Sequence, residues 1–280
     1  MITKSILHTI SAIAVTCFLL SGCSKETVNT LTQKESNADK NSVFAQQTFD
    51  QEQGIVDGAI LTPGSFKSTD AGMAISSECL TVTFNLAALP MSATLDFGTS
   101  NCLCSDGKNR RGKIIVTFNG PLRDSMNYVS STFENYFVND NQVIGTRVVT
   151  NKGHNIDGHL NYDVITDGSI IMANSGGTIT YTTNHNREWT AGENTPLVMA
   201  DDLYTLRGSS AGITVTNQAF TIVITTPLVW NVSCSHIVSG AFDLTPAGEV
   251  TRTVDFGNGD CDAIATVTVL GFTFQITLPG

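Results

Sequence analysis

Charge is scarce in this chain. Only 14% of its residues are Asp, Glu, Lys or Arg, and 25 acidic residues outnumber 15 basic ones, for a formal charge of −10. Phosphate backbones repel such an acidic body, which argues against nucleic acid as a partner. Tryptophan occurs twice and proline seven times in 280 residues. No apolar run reaches the roughly 20 residues that a membrane-spanning helix requires. No stretch after Gly54 combines a helical repeat with caps, and nothing in the sequence implies a cofactor. What is abundant instead is Thr, Asn, Gly and Ser, a composition suited to strands and turns on an exported protein.

The N-terminus reads as an export address. Lys4 supplies a positive n-region, and Ile6 to Leu20 is apolar without an acidic residue or an Arg. It ends in Leu20-Ser21-Gly22-Cys23, which resembles a bacterial lipobox. That resemblance implies cleavage after residue 22 and diacylglyceryl attachment to the thiol of Cys23. Two or more acyl chains anchor stably where one does not. An ordinary secretory signal or an uncleaved anchor is the plainer alternative. Cleavage removes Lys4 and moves the formal charge to −11.

From residue 23 to residue 54 the chain is Lys, Glu, Gln, Asn, Ser and Thr with few apolar residues, and it reads as a flexible tether. Ser24-Lys25-Glu26 faintly resembles the signals that send Bacteroidota lipoproteins to the outer membrane, sometimes to its outer face.

Residues 55–280 form the body, and there the period is two. Leu80, Val82 and Phe84 alternate with threonines and Asn85; Phe220, Ile222 and Ile224 do the same, as do Phe272, Phe274 and Ile276. Breaks at Asn119-Gly120, Asn139-Asp140, Asp167-Gly168, Ser175-Gly176-Gly177, Pro246-Ala247-Gly248 and Leu270-Gly271 are short enough to join antiparallel neighbours. The expected fold is all-β: a long antiparallel meander of roughly a dozen strands, forming a sandwich or a curved or closed sheet.

An internal duplication runs through it, with copies near 79–120 and 234–280. Cys79 precedes a strand, a Pro90 turn, Thr94-Leu95-Asp96-Phe97-Gly98 and Cys102; Cys234 precedes a strand, a Pro246 turn, Thr253-Val254-Asp255-Phe256-Gly257 and Cys261. The strand that follows keeps its phase: Ile114, Val116 and Phe118 correspond to Ala265, Val267 and Val269. The Asp-Phe-Gly runs lack every other kinase element and read as strand ends, with Phe inward and Gly permitting the turn.

With Cys17 in the leader and Cys23 lipidated, five of the seven cysteines remain. Outside the cytoplasm thiols tend to pair. Matched spacing favours Cys79 with Cys102 and Cys234 with Cys261, leaving Cys104 free. Cys79 with Cys104 is the competing assignment, and a fully reduced body remains open.

Several short constellations invite chemistry. Gly208-Ser209-Ser210-Ala211-Gly212 matches a nucleophile elbow, but strand-like residues follow where a helix is needed, so a hairpin turn is expected. Ser105-Asp106-Gly107-Lys108 matches Ser-x-x-Lys but is turn chemistry. His154, Asp157 and His159 are candidate zinc or copper ligands, against the plain alternative of a structural Asn/Asp/Gly loop. Lys108, Arg110, Arg111 and Lys113 form the one basic cluster and are a candidate anion site; a solvated loop is the simpler reading. Trp189, Trp230 and Tyr181 suit either a sugar-stacking platform or the core. Asp124-Ser125-Met126 resembles the O-glycosylation sequon of Bacteroidota, though a match of three residues recurs by chance.

Lipobox, acidic Thr/Asn-rich β body and duplicated Cys and Asp-Phe-Gly runs together resemble the uncharacterised outer-membrane lipoproteins of Bacteroidota. The resemblance implies lipid anchorage in the outer membrane, on its periplasmic or cell-surface side. No convincing acid, base and nucleophile set is present. The leading expectation is therefore a non-catalytic β body that binds an envelope protein or glycan. The rival is a glycan-directed hydrolase using carboxylates such as Asp157, Glu134 or Glu188, held about 5 to 9.5 Å apart. A third is a carrier of an apolar ligand in a large dry cavity.

Overall fold

The computed structural model describes residues 24–60, 74–76, 79–195, 198–234 and 236–278, with backbone alone for 24–37 and 74–76. The leader and Cys23 lie outside the described residues. Two compact units emerge, Met1–Asn37 and Ala38–Gly280, and the second carries all the strands. Among the described residues no helix is long and apolar enough to cross a membrane.

Helix α1 spans Ser24–Ile60. The first five strands are β1 (Ala74–Ser76), β2 (Thr81–Asn85), β3 (Met91–Asp96), β4 (Cys102–Leu103) and β5 (Asn109–Phe118). Next come β6 (Tyr128–Val138), β7 (Asn141–His154), β8 (Leu160–Ile171), β9 (Thr178–Ala191) and β10 (Leu203–Ile213). The last are β11 (Ala219–Asn231), β12 (Ile237–Pro246), β13 (Arg252–Asn258), β14 (Ile264–Val269) and β15 (Phe272–Thr277). Fourteen of them pair in one antiparallel path from β1 to β15, and β4 pairs beside β5. The expected all-β meander is therefore present as a single open sheet, not a sandwich.

Local chemistry explains the turns. Asn139 and Asp140 both take positive φ, 47° and 65°, which suits a two-residue hairpin between β6 and β7. The duplicated Asp-Phe-Gly runs fold alike. Gly98 N–H donates to Asp96 Oδ1 at 2.8 Å and Gly257 N–H to Asp255 Oδ1 at 2.7 Å, while Phe97 and Phe256 are buried. The copies differ in register. Leu95 faces Ile114 in the first, whereas its counterpart Val254 faces Val267 in the second, a slip of two residues. A slip of two keeps every side chain on its original face, so the apolar phase survives.

Two expected turns are strand interior instead. Asp167-Gly168 lies within β8 and Gly208–Gly212 within β10. Gly168 is opposite Gly145, and the ring of Phe49 packs on it, so glycine is needed there for close approach and not for a turn.

The largest correction concerns residues 23–54. From Ser24 onward they are helical rather than a flexible tether, and from Ala38 to Ile60 that helix is buried. Val43, Phe49, Val56 and Ile60 join the apolar core. Asp39, Gln46, Asp50, Gln53 and Asp57 recur at spacings of three, four and seven, one stripe of a helix. Their partners project inward from distant strands. Arg147 of β7 donates to Asp50 at 2.7 Å, Arg187 of β9 to Asp57 at 3.0 Å, and Arg252 of β13 lies 3.6 Å from Asp39. Tyr181 of β9 donates its hydroxyl to Gln46.

Other faces of the helix meet other strands. Phe49 packs on Phe133 of β6 and Tyr181, with ring centroids 6.2 and 6.1 Å away, and Gly54 abuts Trp230 of β11. Partners from β6 through β13 thus surround residues 38–60 of the helix, and the sheet is curled around them. Leaving one buried charge of such a pair without its partner costs about 3–5 kcal/mol. A composition that looks too polar to fold is stable here because every stripe carboxylate meets a guanidinium.

Candidate functional site

Of the basic stretch after the β4 strand, Arg110 lines a concavity beside Ser105 and Asp106. Cys104 N–H donates to Lys108 O and Gly107 N–H to Cys104 O, closing a tight turn that presents Asp106 toward the helix. Arg110 donates both terminal nitrogens to Asp106, at 2.7 and 2.8 Å, and its Nε to the Tyr136 hydroxyl at 3.1 Å. That hydroxyl donates to Glu52 of the helix. Burial raises the Glu52 pKa, with Arg110 pulling the other way. For Asp106 burial acts upward, but the hydrogen bonds from Arg110 more than offset it and the carboxyl is held below its usual range.

The four cations do not form a common anion site. Lys108 turns inward and donates to Gln51 at 2.6 Å. Arg111 reaches Asp140 at 2.5 Å and lies over the ring of Phe137, while Lys113 pairs with Asp96 at 3.5 Å. Strand alternation, shifted by the bulge between Arg111 and Lys113, sends successive side chains to different sides, each to its own acceptor.

Above the helix two adjoining concavities open, of about 360 and 410 Å³. Leu80, Phe97, Leu103 and Cys104 wall the first; Gln51, Gly54, Trp230 and Ser233 wall the second. Ile55, Ser105 and Asp106 belong to both. The two copies of the duplication bracket this cleft, because Cys79 lines one part and Cys234 the other. Both expected disulfides are formed: Cys79–Cys102 with Cα atoms 5.6 Å apart and Cys234–Cys261 with 5.7 Å. Cys104 is free. Apolar walls with a carboxylate and a guanidinium paired to each other, Asp106 and Arg110, two serine hydroxyls and an amide suit a neutral hydrogen-bonding ligand more than a charged one.

The other candidates disperse. His154 bonds Glu193 at 2.9 Å, and His159 bonds Glu188 at 2.7 Å, so the two histidines serve different carboxylates. Asp157 sits at the exposed tip of the same turn, its N–H on Asn155. Among the described residues no three His, Cys, Asp or Glu side chains converge on a metal position, so His154, Asp157 and His159 are not brought together as a ligand set here. Trp189, Trp230 and Tyr181 are buried: the tryptophans flank Tyr204, and Tyr181 stacks on Phe49.

The carboxylates of the hydrolase reading occupy different places. Glu134 on β6 faces Lys113, whereas Glu188 on β9 accepts from His159 and Asn155, which hold it below its ordinary pKa. A general acid needs the opposite shift. Ser210 does meet His185, at 2.9 Å, but the pair is sealed in the core, and the Tyr181 hydroxyl, whose proton goes to Gln46, lies 3.0 Å from the same serine oxygen. Burial holds the His185 pKa down to about 4. The space an apolar cargo would use is filled by residues 38–60.

Sequence reasoning missed the helix residues in the cleft, Gln51, Gly54 and Ile55. Their signal was the stripe from Asp39 to Asp57, read along a segment judged by composition. Compared with known proteins, the chain matches no protein-family model, no curated protein and no solved structure.

Proposed function

We propose that the protein is a lipid-anchored lipoprotein of the bacterial outer membrane, on its periplasmic or cell-surface side, whose β body binds an envelope glycan or protein without catalysis. The lipobox Leu20 to Cys23 supports the anchorage. The observation that carries the binding role is the cleft over the helix: its volume falls in the range of ligand pockets, about 300–1,000 Å³, and its lining combines apolar walls with a few polar groups. Buried Arg147, Arg187 and Arg252 are engaged with Asp50, Asp57 and Asp39 in pairs that hold the helix.

Binding is tested with purified protein on a glycan array and in pull-downs from envelope extract, beside a Ser233→Trp variant that fills the cleft. Binding by the wild type and its loss in the variant is the expected result. Equal binding by both, or none above background, refutes the reading. Anchorage is tested by mass spectrometry of the native product, where an intact leader or an unmodified Cys23 refutes it.

A further inference from the structure

We propose that Cys104 is an exchange-competent thiol that isomerises the disulfide beside it, so that Cys79 is held by Cys102 in one form and by Cys104 in another. Cys102 and Cys104 are two residues apart in extended chain, which places both side chains on one face while Leu103 points away and is 65% exposed. Cys79 Sγ lies 3.1 Å from the carbonyl oxygen of Leu103, the residue between the two candidates. The Cys104 thiol turns back toward the Cys102 carbonyl at 3.7 Å. Cys79 and Cys104 also line the same open concavity, so water and base reach the thiol.

The duplication supplies an internal control. Taking Cys261 as the counterpart of Cys102, the counterpart of Cys104 is Ala263, and both residues pack half-buried against the core. A methyl group therefore satisfies the packing at this position, and the thiol of Cys104 is surplus to it. The same comparison leaves Cys234–Cys261 with no second partner.

The step is balanced without an external oxidant. The Cys104 thiolate attacks Cys79 Sγ, the Cys79–Cys102 bond breaks as the new bond forms, and Cys102 departs as a thiolate that takes up a proton. The number of disulfides is unchanged. β4 is two residues long and pairs through Cys102 with Arg110 and Leu103 with Asn109, and the Cys104 N–H bond to Lys108 O closes the turn that follows it. Exchange moves the anchoring point by two residues and shifts the wall of the cleft formed by Leu103.

The test is site-resolved mapping of the full chain. Native protein is held near pH 8, then quenched in acid and labelled with a maleimide under denaturing conditions. Tandem mass spectrometry separates Cys102 from Cys104 across Leu103. Label on both, with Cys234 and Cys261 at background, is expected. Label confined to Cys104 after prolonged incubation overturns the proposal. In a Cys102→Ala variant, Cys79 is expected in a disulfide with Cys104; both thiols free in the folded variant also overturns it. If that variant does not fold, the wild-type map decides alone.

Discussion

Replacing Arg147 with Met strands the carboxylate of Asp50 inside the protein. The two are 2.7 Å apart, with side chains 3% and 4% exposed, and Arg147 also donates to Thr166 Oγ1 at 3.1 Å. In the variant Asp50 keeps only the amide of Gln46 one helical turn away. An uncompensated buried charge of this kind costs about 3–5 kcal/mol. Asp50→Leu alone strands the guanidinium and costs a similar amount. The double variant Arg147→Met with Asp50→Leu leaves no charge behind, and pairs replaced by apolar groups of similar volume come out near neutral. The cycle therefore predicts a double variant within about 2 kcal/mol of wild type and far above the sum of the singles. Urea unfolding followed by far-ultraviolet circular dichroism, with the disulfides intact, reads this out. A single variant within about 1 kcal/mol of wild type, in the range of an exposed pair, or strictly additive losses, would refute a buried helix held by inward arginines.

Two further perturbations address the same core. Gly168→Ala places a methyl group 2.8 Å from Cε1 of Phe49 and closer still to Cζ; we expect a loss of about 1–3 kcal/mol by overpacking, partly restored by Phe49→Leu in the same denaturation assay. The second is acid sensitivity. Burial lowers the His185 pKa to about 4, with Asp50 acting upward and Arg147 downward. The unfolded chain takes up that proton near pH 6.5 and the folded one only near 4, so stability falls as pH drops through this window, by up to about 3 kcal/mol. His185→Gln should flatten the slope. Asp202, raised to about 6 mainly by burial, works in the opposite sense, since the folded state takes up its proton first as pH falls from 6. Asp202→Asn should therefore steepen the loss, and pH-dependent thermal melts of the two variants that move in the same direction would contradict the assignment.

The strands were legible because alternation such as Leu80-Val82-Phe84 reports a face directly, and the duplication was legible because Asp-Phe-Gly and the Cys spacing repeat. The curl of the sheet was not. Curling requires something to curl around, and residues 38–54 look like a tether by polarity alone, which reports exposure only when the polar groups lack partners. The partners lie on strands up to 213 positions further along the sequence, Asp39 to Arg252 being the longest. A signal existed on both sides. Arg187 occupies the inward phase of β9 between His185 and Trp189, and a charge in an inward phase asks for a counter-charge. The stripe Asp39, Gln46, Asp50, Gln53, Asp57 was the answer to that question. Arg110 misled for a related reason, because sequence neighbours grouped it with cations that alternation sends elsewhere. The Gly208–Gly212 and Asp167-Gly168 runs read as turns because glycine marks turns and close approaches alike.

The buried pairs, the curl of the sheet and the floor of the cleft all depend on residues 38–60 being an interior helix. Hydrogen–deuterium exchange on the native protein measures that segment by itself. The account predicts that amides of 38–60 exchange as slowly as those of β8 and β9, which face them; exchange of 38–60 within seconds, while β8 and β9 stay protected, would contradict it.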